Sequence, residues 1–141
     1  MVTTRRPRRT QSGRILEPVP QWWLLRGGSQ PEYYVYKALL RTGRKEEIDF
    51  TYQTKFFGGR ISRGGSIADF IIVNPPMGIN VQSRYYHART TNQRAHDRLQ
   101  REQYEANGIK IAYIDENEAF ENADFYVRRA LSGYTSGPIG D

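Results

Sequence analysis

The residues from 67 to 82 decide the fold, because their sequence, IADFIIVNPPMGINVQ, consists of two apolar runs separated by Asn-Pro-Pro. β-Branched and aromatic residues favour strands, whereas asparagine and proline end strands and form turns. The pattern therefore predicts a β-hairpin whose turn is centred on Pro75-Pro76 and whose return strand runs from Ile79 to about Tyr85. A single acid, Asp69, interrupts the first run.

Asp69 is the residue around which the sequence predicts a site. An acid within a β-branched run is disfavoured by strand propensity and by burial, so it needs a cation, a metal ion or several hydrogen-bond donors. Symmetric pairing about the turn places Asp69 opposite Gln82, and Asn80 then projects from the same face of the sheet. The alternative to a functional site is a structural salt bridge, for which the candidate partners are Arg60, Arg63 and Arg84.

Helical and strand patterns on both sides of the hairpin predict a small α/β (α+β) domain. A helix begins at Ser29 or Gln30, with Pro31 in its first turn, and Gly43 ends it. The other predicted elements are a strand over 48–53, a helix over about 92–107 with an apolar stripe of Ala95, Leu99 and Ala106, a strand over 109–114, and a helix over about 119–131 that buries Phe120, Phe125, Val127 and Leu131. This order gives an antiparallel meander of three strands, and a crossover helix then returns a fourth strand to a mixed sheet.

Two further segments carry expectations of their own. The pairs Gly58-Gly59 and Gly64-Gly65 bracket a segment predicted to be a flexible, basic loop that carries Arg60 and Arg63. The apolar cluster Trp22-Trp23-Leu24-Leu25 is interpreted as a packing anchor, with a docking patch for a partner as the alternative. Contiguous exposed aromatic side chains are costly in a monomer, which favours the anchor.

The composition sets the class of protein. A chain of 141 residues suits one domain, and the absence of cysteine excludes disulfides, thiolate zinc sites and a thiol nucleophile. No apolar stretch has the length of a membrane span, and the N-terminus lacks the apolar segment of a secretory signal. We therefore expect no membrane association and a cytoplasmic or virion location. The predicted organisation is a basic arm over 1–20, a domain over 21–133 and a flexible tail over 134–141.

The net charge of +6 is concentrated in the arm. Its first 14 residues contain no acid, whereas the rest of the chain has 16 basic and 15 acidic residues. A basic arm on a balanced domain is typical of proteins that bind nucleic acid, although a solvated tail has the same composition. We expect DNA as a partner, and subunits of a large assembly as a further one. The arginines expected to contact nucleic acid are Arg5, Arg6, Arg8, Arg9, Arg14, Arg60 and Arg63.

Several short motifs occur in an order that resembles a known family. They are Glu32 in the first turn of a helix, Gly65-Ser66-Ile67-Ala68-Asp69-Phe70, Ile79-Asn80-Val81-Gln82-Ser83, Tyr86-His87, Asp97 with Arg101, and Gly108-Ile109-Lys110-Ile111. In this order the chain resembles the very-short-patch-repair-type branch of the PD-(D/E)xK nucleases over roughly residues 31–116. The resemblance implies a restriction-endonuclease-like αβββαβ core with a four-stranded mixed sheet between helices.

The same resemblance implies a Mg²⁺ site and assigns its residues. Asp69 corresponds to the metal-binding acid of the first catalytic motif, and Asn80 with Gln82 falls on the (D/E)-x-K motif. Glu32 corresponds to the helix acid that supplements the metal site, and His87 to a histidine near it. Asn80 stands where the family has an acid, and Gln82 where it usually has lysine. The carboxylates of Asp69 and Glu32 supply a pair of ligands if the start of the helix faces the sheet.

Two functions follow from this resemblance. The first is a Mg²⁺-dependent DNA endonuclease that hydrolyses phosphodiester bonds, with Asp69 and Glu32 as metal ligands and Asn80, Gln82 and His87 as further catalytic residues. The second is a catalytically degenerate nuclease-fold protein that serves as a structural or DNA-binding component of a bacteriophage virion or DNA-packaging machine. Asn80 favours the second function because asparagine keeps a carbonyl oxygen but lacks the negative charge of an acid.

Overall fold

The computed structural model of the protein describes residues 9–10, 12–57, 60–63, 68–82 and 91–133. Its helices are α1 (Gln21–Leu25), α2 (Gln30–Arg41), α3 (Thr91–Ala106) and α4 (Glu116–Leu131). Its strands are β1 (Phe50–Tyr52), β2 (Thr54–Phe57), β3 (Arg60–Arg63), β4 (Phe70–Ile72), β5 (Met77–Gln82) and β6 (Lys110–Asp115). None of the helices in these ranges is long and apolar enough to cross a membrane.

The main sheet has four strands in the order β1-β4-β5-β6. Strand β4 is antiparallel to both β1 and β5, whereas β6 is parallel to β5 and follows the crossover helix α3. The predicted mixed sheet of four strands, with the fourth strand after a crossover helix, is therefore confirmed. The predicted meander of consecutive strands is not, because β2 and β3 lie between β1 and β4 in the chain and form a separate sheet. The chain is an α+β protein with helices flanking an open sheet.

Each face of the sheet packs against different helices, because side chains alternate along a strand. Helices α2 and α4 cover the face that presents Phe70, Ile79 and Ile114, and these residues belong to the larger apolar core. Helix α3 covers the other face, where Tyr104 packs with Ile111 in a smaller cluster. The sheet therefore forms a middle layer between two layers of helices.

The hairpin has a different register from the predicted one. Ile71 pairs with Gly78 and Ile72 pairs with Met77, so the predicted register, which placed Ile71 opposite Asn80, was wrong by two residues. Gly78 looked like a turn residue, but it belongs to β5. A Cβ atom there would lie 2.7 Å from the Ile111 side chain and 2.9 Å from that of Ala68. Glycine is thus needed inside the strand for close packing, which is a common reason for a strand glycine.

The predicted flexible loop over Arg60 and Arg63 is also wrong. Residues Arg60–Arg63 form β3, which pairs with β2 in an antiparallel two-stranded sheet with Phe56 opposite Ile61. The aromatic and β-branched residues of this segment favour strands, and the flanking glycines hid that signal. The side chains of Arg60 and Arg63 lie outside the described part of the chain, so their expected contact with DNA stays a prediction.

Several predicted core positions are exposed instead. The stripe proposed for α3 was wrong, since Ala95, Leu99 and Ala106 are exposed, whereas Tyr104 is buried. Ile48 lies outside β1 and is exposed, and Phe125 of α4 is 45% exposed. Small residues of α4, Ala123 and Ala130, are buried because α2 packs closely against that helix.

The residues before α2 pack on the domain. Trp23 is completely buried, whereas Trp22, Leu24 and Leu25 are exposed, so the anchor is one side chain of the four. Further toward the N-terminus, the Ser12 hydroxyl donates to Glu121 Oε2 over 2.6 Å. The Arg14 guanidinium donates to the Glu121 carbonyl over 2.8 Å. Ser12 and Arg14 of the predicted arm therefore lie against α4, whereas Glu17 contacts Lys37 of α2.

Candidate metal centre

The N-terminus of α2 fixes the first residue of the candidate site, Glu32. The Ser29 hydroxyl accepts a hydrogen bond from the Glu32 amide over 3.3 Å, and the Ser29 amide donates to Glu32 Oε1 over 2.9 Å. These two bonds form a capping box, which satisfies two amides that the helix leaves without partners. The helix start predicted at Ser29 or Gln30 is confirmed, with Ser29 as the N-cap. Because of the capping box, the Glu32 carboxyl is held at the end of the helix and is buried.

A β-bulge positions the second residue, Asp69. The Asp69 amide donates to the Ile79 carbonyl over 2.9 Å, yet Phe70 is the residue paired with Ile79. Two successive residues thus face one residue of β5, which defines a bulge and redirects a side chain. Asp69 Oδ2 accepts a hydrogen bond from the Val81 amide over 2.8 Å. The Asp69 side chain, which immediately precedes β4, thus replaces a main-chain carbonyl as the acceptor for this amide of β5.

The carboxyl groups of Glu32 and Asp69 contact each other. Burial raises the pKa of Asp69 well above its usual range, and the charge of Glu32 and a side-chain hydrogen bond to it raise it further. The Val81 amide acts in the opposite direction, because it stabilises the ionised form. Two carboxyls in contact do not both ionise without cost, so the proximity of Glu32 favours the protonated form of Asp69.

Tyr52 of β1 lies beside the two carboxyls. Its side chain is 4% exposed, and burial together with the charges of Glu32 and Asp69 raises the pKa of its hydroxyl. The hydroxyl interacts with the Glu32 carboxyl, yet within the described ranges it completes no hydrogen bond of good geometry. The sequence predicted only a strand over 48–53 around Tyr52, because alternation along a strand indicates which face a residue lies on and not its polar neighbours.

The two amides predicted for the site lie on the neighbouring strand. Asn80 and Gln82 of β5 are buried, and they flank Val81, whose amide binds Asp69. Alternation with Ile79 directs them to the face that α3 covers, whereas Glu32 reaches Asp69 from α2. The structure therefore brings Glu32 and Asp69 into contact, whereas Asn80 and Gln82 lie on the other face of the sheet. The prediction that they share a face with Asp69 was wrong, because the bulge redirects the Asp69 side chain.

The remaining predicted residues either lie outside the described ranges or contact parts of the chain other than Glu32 and Asp69. His87, Arg5, Arg6, Arg8 and the tail over 134–141 lie outside the described residues. Arg9 donates to the Gly13 carbonyl, and Arg14 donates to Glu121 of α4. In the described part of the chain, no ion pair joins Asp69 or Glu32 to an arginine or lysine, and no group of three or more metal-ligating acids or histidines occurs.

A carboxyl pair of this kind fits a hard divalent cation. Mg²⁺ prefers oxygen ligands and is commonly held by one or two carboxylates together with water and phosphate. Glu32 and Asp69 would hold such a cation, and its positive charge would offset the repulsion by which Glu32 raises the pKa of Asp69. No protein-family model, curated protein or solved structure matches the chain.

Proposed function

We propose that the protein is a Mg²⁺-dependent DNA endonuclease that hydrolyses phosphodiester bonds at Glu32 and Asp69. The observation that carries the proposal is the buried contact between these two carboxyls, each of which is fixed by a main-chain amide. The order of elements supports it as well. Apart from the inserted β2–β3 hairpin, the elements from α2 to β6 are a helix, three antiparallel strands, a crossover helix and a parallel strand, which is the order of the restriction-endonuclease-like core that the sequence resembles.

Each residue of the site has a defined role in this proposal. Glu32 and Asp69 hold the ion, and the capping box and the Val81 amide keep both carboxyls in place. Bound Mg²⁺ supplies a water of lowered pKa and neutralises charge on the scissile phosphate. Asn80 and Gln82 lie on the face of the sheet that α3 covers, so the ion would be held without them, and the expected role of His87 stays a prediction. The arginines of the arm and of β3 contact the phosphate backbone, where clustered positive charge contributes most of the affinity.

A second function is a nuclease-fold protein without catalysis, which serves as a structural or DNA-binding component of a bacteriophage virion or packaging machine. The observation that favours it is Asn80, which is buried at 4% exposure in the position of the family's acid. Without that negative charge the site binds Mg²⁺ more weakly than an intact motif. The two functions share the fold and the DNA contact, and they differ in whether phosphodiester bonds are cut.

Cleavage of supercoiled plasmid DNA separates the two functions. We expect the wild-type protein to nick the plasmid with Mg²⁺ or Mn²⁺ and to be inactive in EDTA. Asp69→Asn is expected to lower the rate roughly 10²–10³-fold, because charge stabilisation by the ion is worth several kcal/mol. The matched control is Asp124→Asn, which changes an exposed acid paired with Arg41 and should leave the rate unchanged.

Two outcomes contradict the endonuclease proposal. Equal nicking by the wild type and Asp69→Asn would indicate that the activity does not come from this site. No nicking with either ion, combined with a salt-dependent shift of the DNA in a gel, would support the second function instead.

A further inference from the structure

We infer that Tyr52 is a positioning residue of the metal site, and that its hydroxyl donates a hydrogen bond to a water ligand of the ion between Glu32 and Asp69. The inference rests on the proposed function, since it requires a metal ion at this pair. It adds a residue that neither the sequence motifs nor the resemblance assigns.

The backbone places Tyr52 next to Asp69. Tyr52 pairs with Phe70 across β1 and β4, and the amide of the following residue, Gln53, donates to the Asp69 carbonyl over 2.6 Å. Tyr52 belongs to the same apolar core as the residues of α2, so its side chain lies on the face from which Glu32 approaches. The hydroxyl therefore lies beside both carboxyls.

The ring of Tyr52 is held rigidly. It lies 4.6 Å from the Trp23 ring and 5.0 Å from the Phe70 ring, and the Arg26 guanidinium lies 5.2 Å from its centre. Packing on this many sides leaves the ring one orientation. A hydroxyl on a fixed ring donates well to a ligand of a metal ion, because it loses little conformational entropy when it binds.

The Tyr52 hydroxyl is buried, and its O–H group is available as a hydrogen-bond donor. The side chain is 4% exposed, and in the described ranges its oxygen completes no hydrogen bond of good geometry. A buried donor without a full hydrogen bond is costly, and in native proteins such a group commonly serves a bound water or ion. Mg²⁺ keeps several of its waters when two carboxylates hold it, so a water ligand is the acceptor that the site supplies.

The test is Tyr52→Phe, which removes only the oxygen, with Tyr36→Phe as the matched control. Tyr36 contacts the same Trp23 ring, but its hydroxyl donates to Glu46 over 3.0 Å. We would measure the Kd for MgCl₂ by calorimetry and, separately, the midpoint of thermal unfolding in EDTA. We expect Tyr52→Phe to weaken Mg²⁺ binding about tenfold without lowering the metal-free midpoint. Tyr36→Phe should lower that midpoint and leave the Kd unchanged.

The outcomes distinguish this inference from the function on which it rests. If the wild type binds no Mg²⁺, the proposed metal site fails, and the inference fails with it. If the wild type binds Mg²⁺ and Tyr52→Phe binds it equally well, only the role of Tyr52 is overturned. A loss of metal-free stability in Tyr52→Phe that matches the loss of affinity would show a merely structural role and would also overturn it.

Discussion

Asp69→Asn is expected to stabilise the metal-free protein by about 1–2 kcal/mol at neutral pH, although it removes the central residue of the proposed site. Asparagine has the shape of aspartate and keeps an oxygen to accept the Val81 amide. Its NH₂ group can donate to the Glu32 carboxyl, so the repulsion between two acids becomes a hydrogen bond. Stability gained at the cost of function is common where an active site holds like charges together.

The pH dependence of unfolding identifies the group responsible. The folded state raises the pKa of Asp69 above the unfolded value of about 3.9, so the folded protein binds more protons in the window between the two. The free energy of unfolding of the wild type should therefore fall as the pH rises from about 4 through the folded-state pKa. Asp69→Asn should lack this fall, so its advantage over the wild type should grow across the same window.

Urea unfolding in EDTA at a series of pH values measures both effects. Asp124→Asn is the control, since that acid is exposed and paired with Arg41. Lower stability of Asp69→Asn than of the wild type at neutral pH would mean that Asp69 is ionised and paired with a cation. The structural salt bridge with Arg60, Arg63 or Arg84 would then be the correct interpretation of Asp69.

Trp23→Ala is expected to have the largest effect on stability, a loss of about 3–5 kcal/mol. The side chain is fully buried, and its ring lies 4.8 Å from Tyr36 and 4.6 Å from Tyr52. Its Nε1 donates to the Ser29 carbonyl over 2.8 Å, at the residue that caps α2 and holds Glu32. Removal of the indole therefore leaves a cavity and loosens the start of α2.

Trp22→Ala is the matched control for this prediction, because it deletes the neighbouring indole. Trp22 is 49% exposed and contacts the aromatic cluster only through edge-on rings. Its removal should cost no more than about 1 kcal/mol. Similar losses in urea unfolding for both variants would contradict the assignment of Trp23 as the anchor of the α1 segment.

The sequence was sufficient for the fold where local signals agreed with the tertiary contacts. Ser29 and Pro31 predicted the start of α2 because capping is local, and the α-β-β-β-α-β order predicted the mixed sheet. The predicted hairpin register was wrong because Gly78 belongs to β5 and not to the turn. Glycine is required there by the close approach of Ile111, which lies far away in the sequence. The predicted apolar stripe of α3 was wrong because Tyr104, and not the small apolar residues, packs against Ile111 on the face of the sheet that α3 covers.

The candidate site was predictable in part for the same reason. An acid in an apolar strand and an acid in a helix cap are visible in the sequence as Asp69 and Glu32. Their contact depends on a β-bulge at Asp69, and a bulge depends on how β4 meets β5. Tyr52 was missed because only the assembled layers show that its hydroxyl shares a buried space with both carboxyls.

Calorimetric titration of the wild type, Asp69→Asn and Glu32→Gln with MgCl₂, paired with thermal unfolding, tests the metal site most directly. Both variants keep the main-chain hydrogen bonds of the parent side chains, since an amide oxygen replaces the carboxylate oxygen. We predict saturable binding to the wild type alone, with a stabilisation of about 2.7 kcal/mol at a Mg²⁺ concentration of 100 Kd. Equal responses of all three proteins, or no response of the wild type, would contradict a metal site at Glu32 and Asp69.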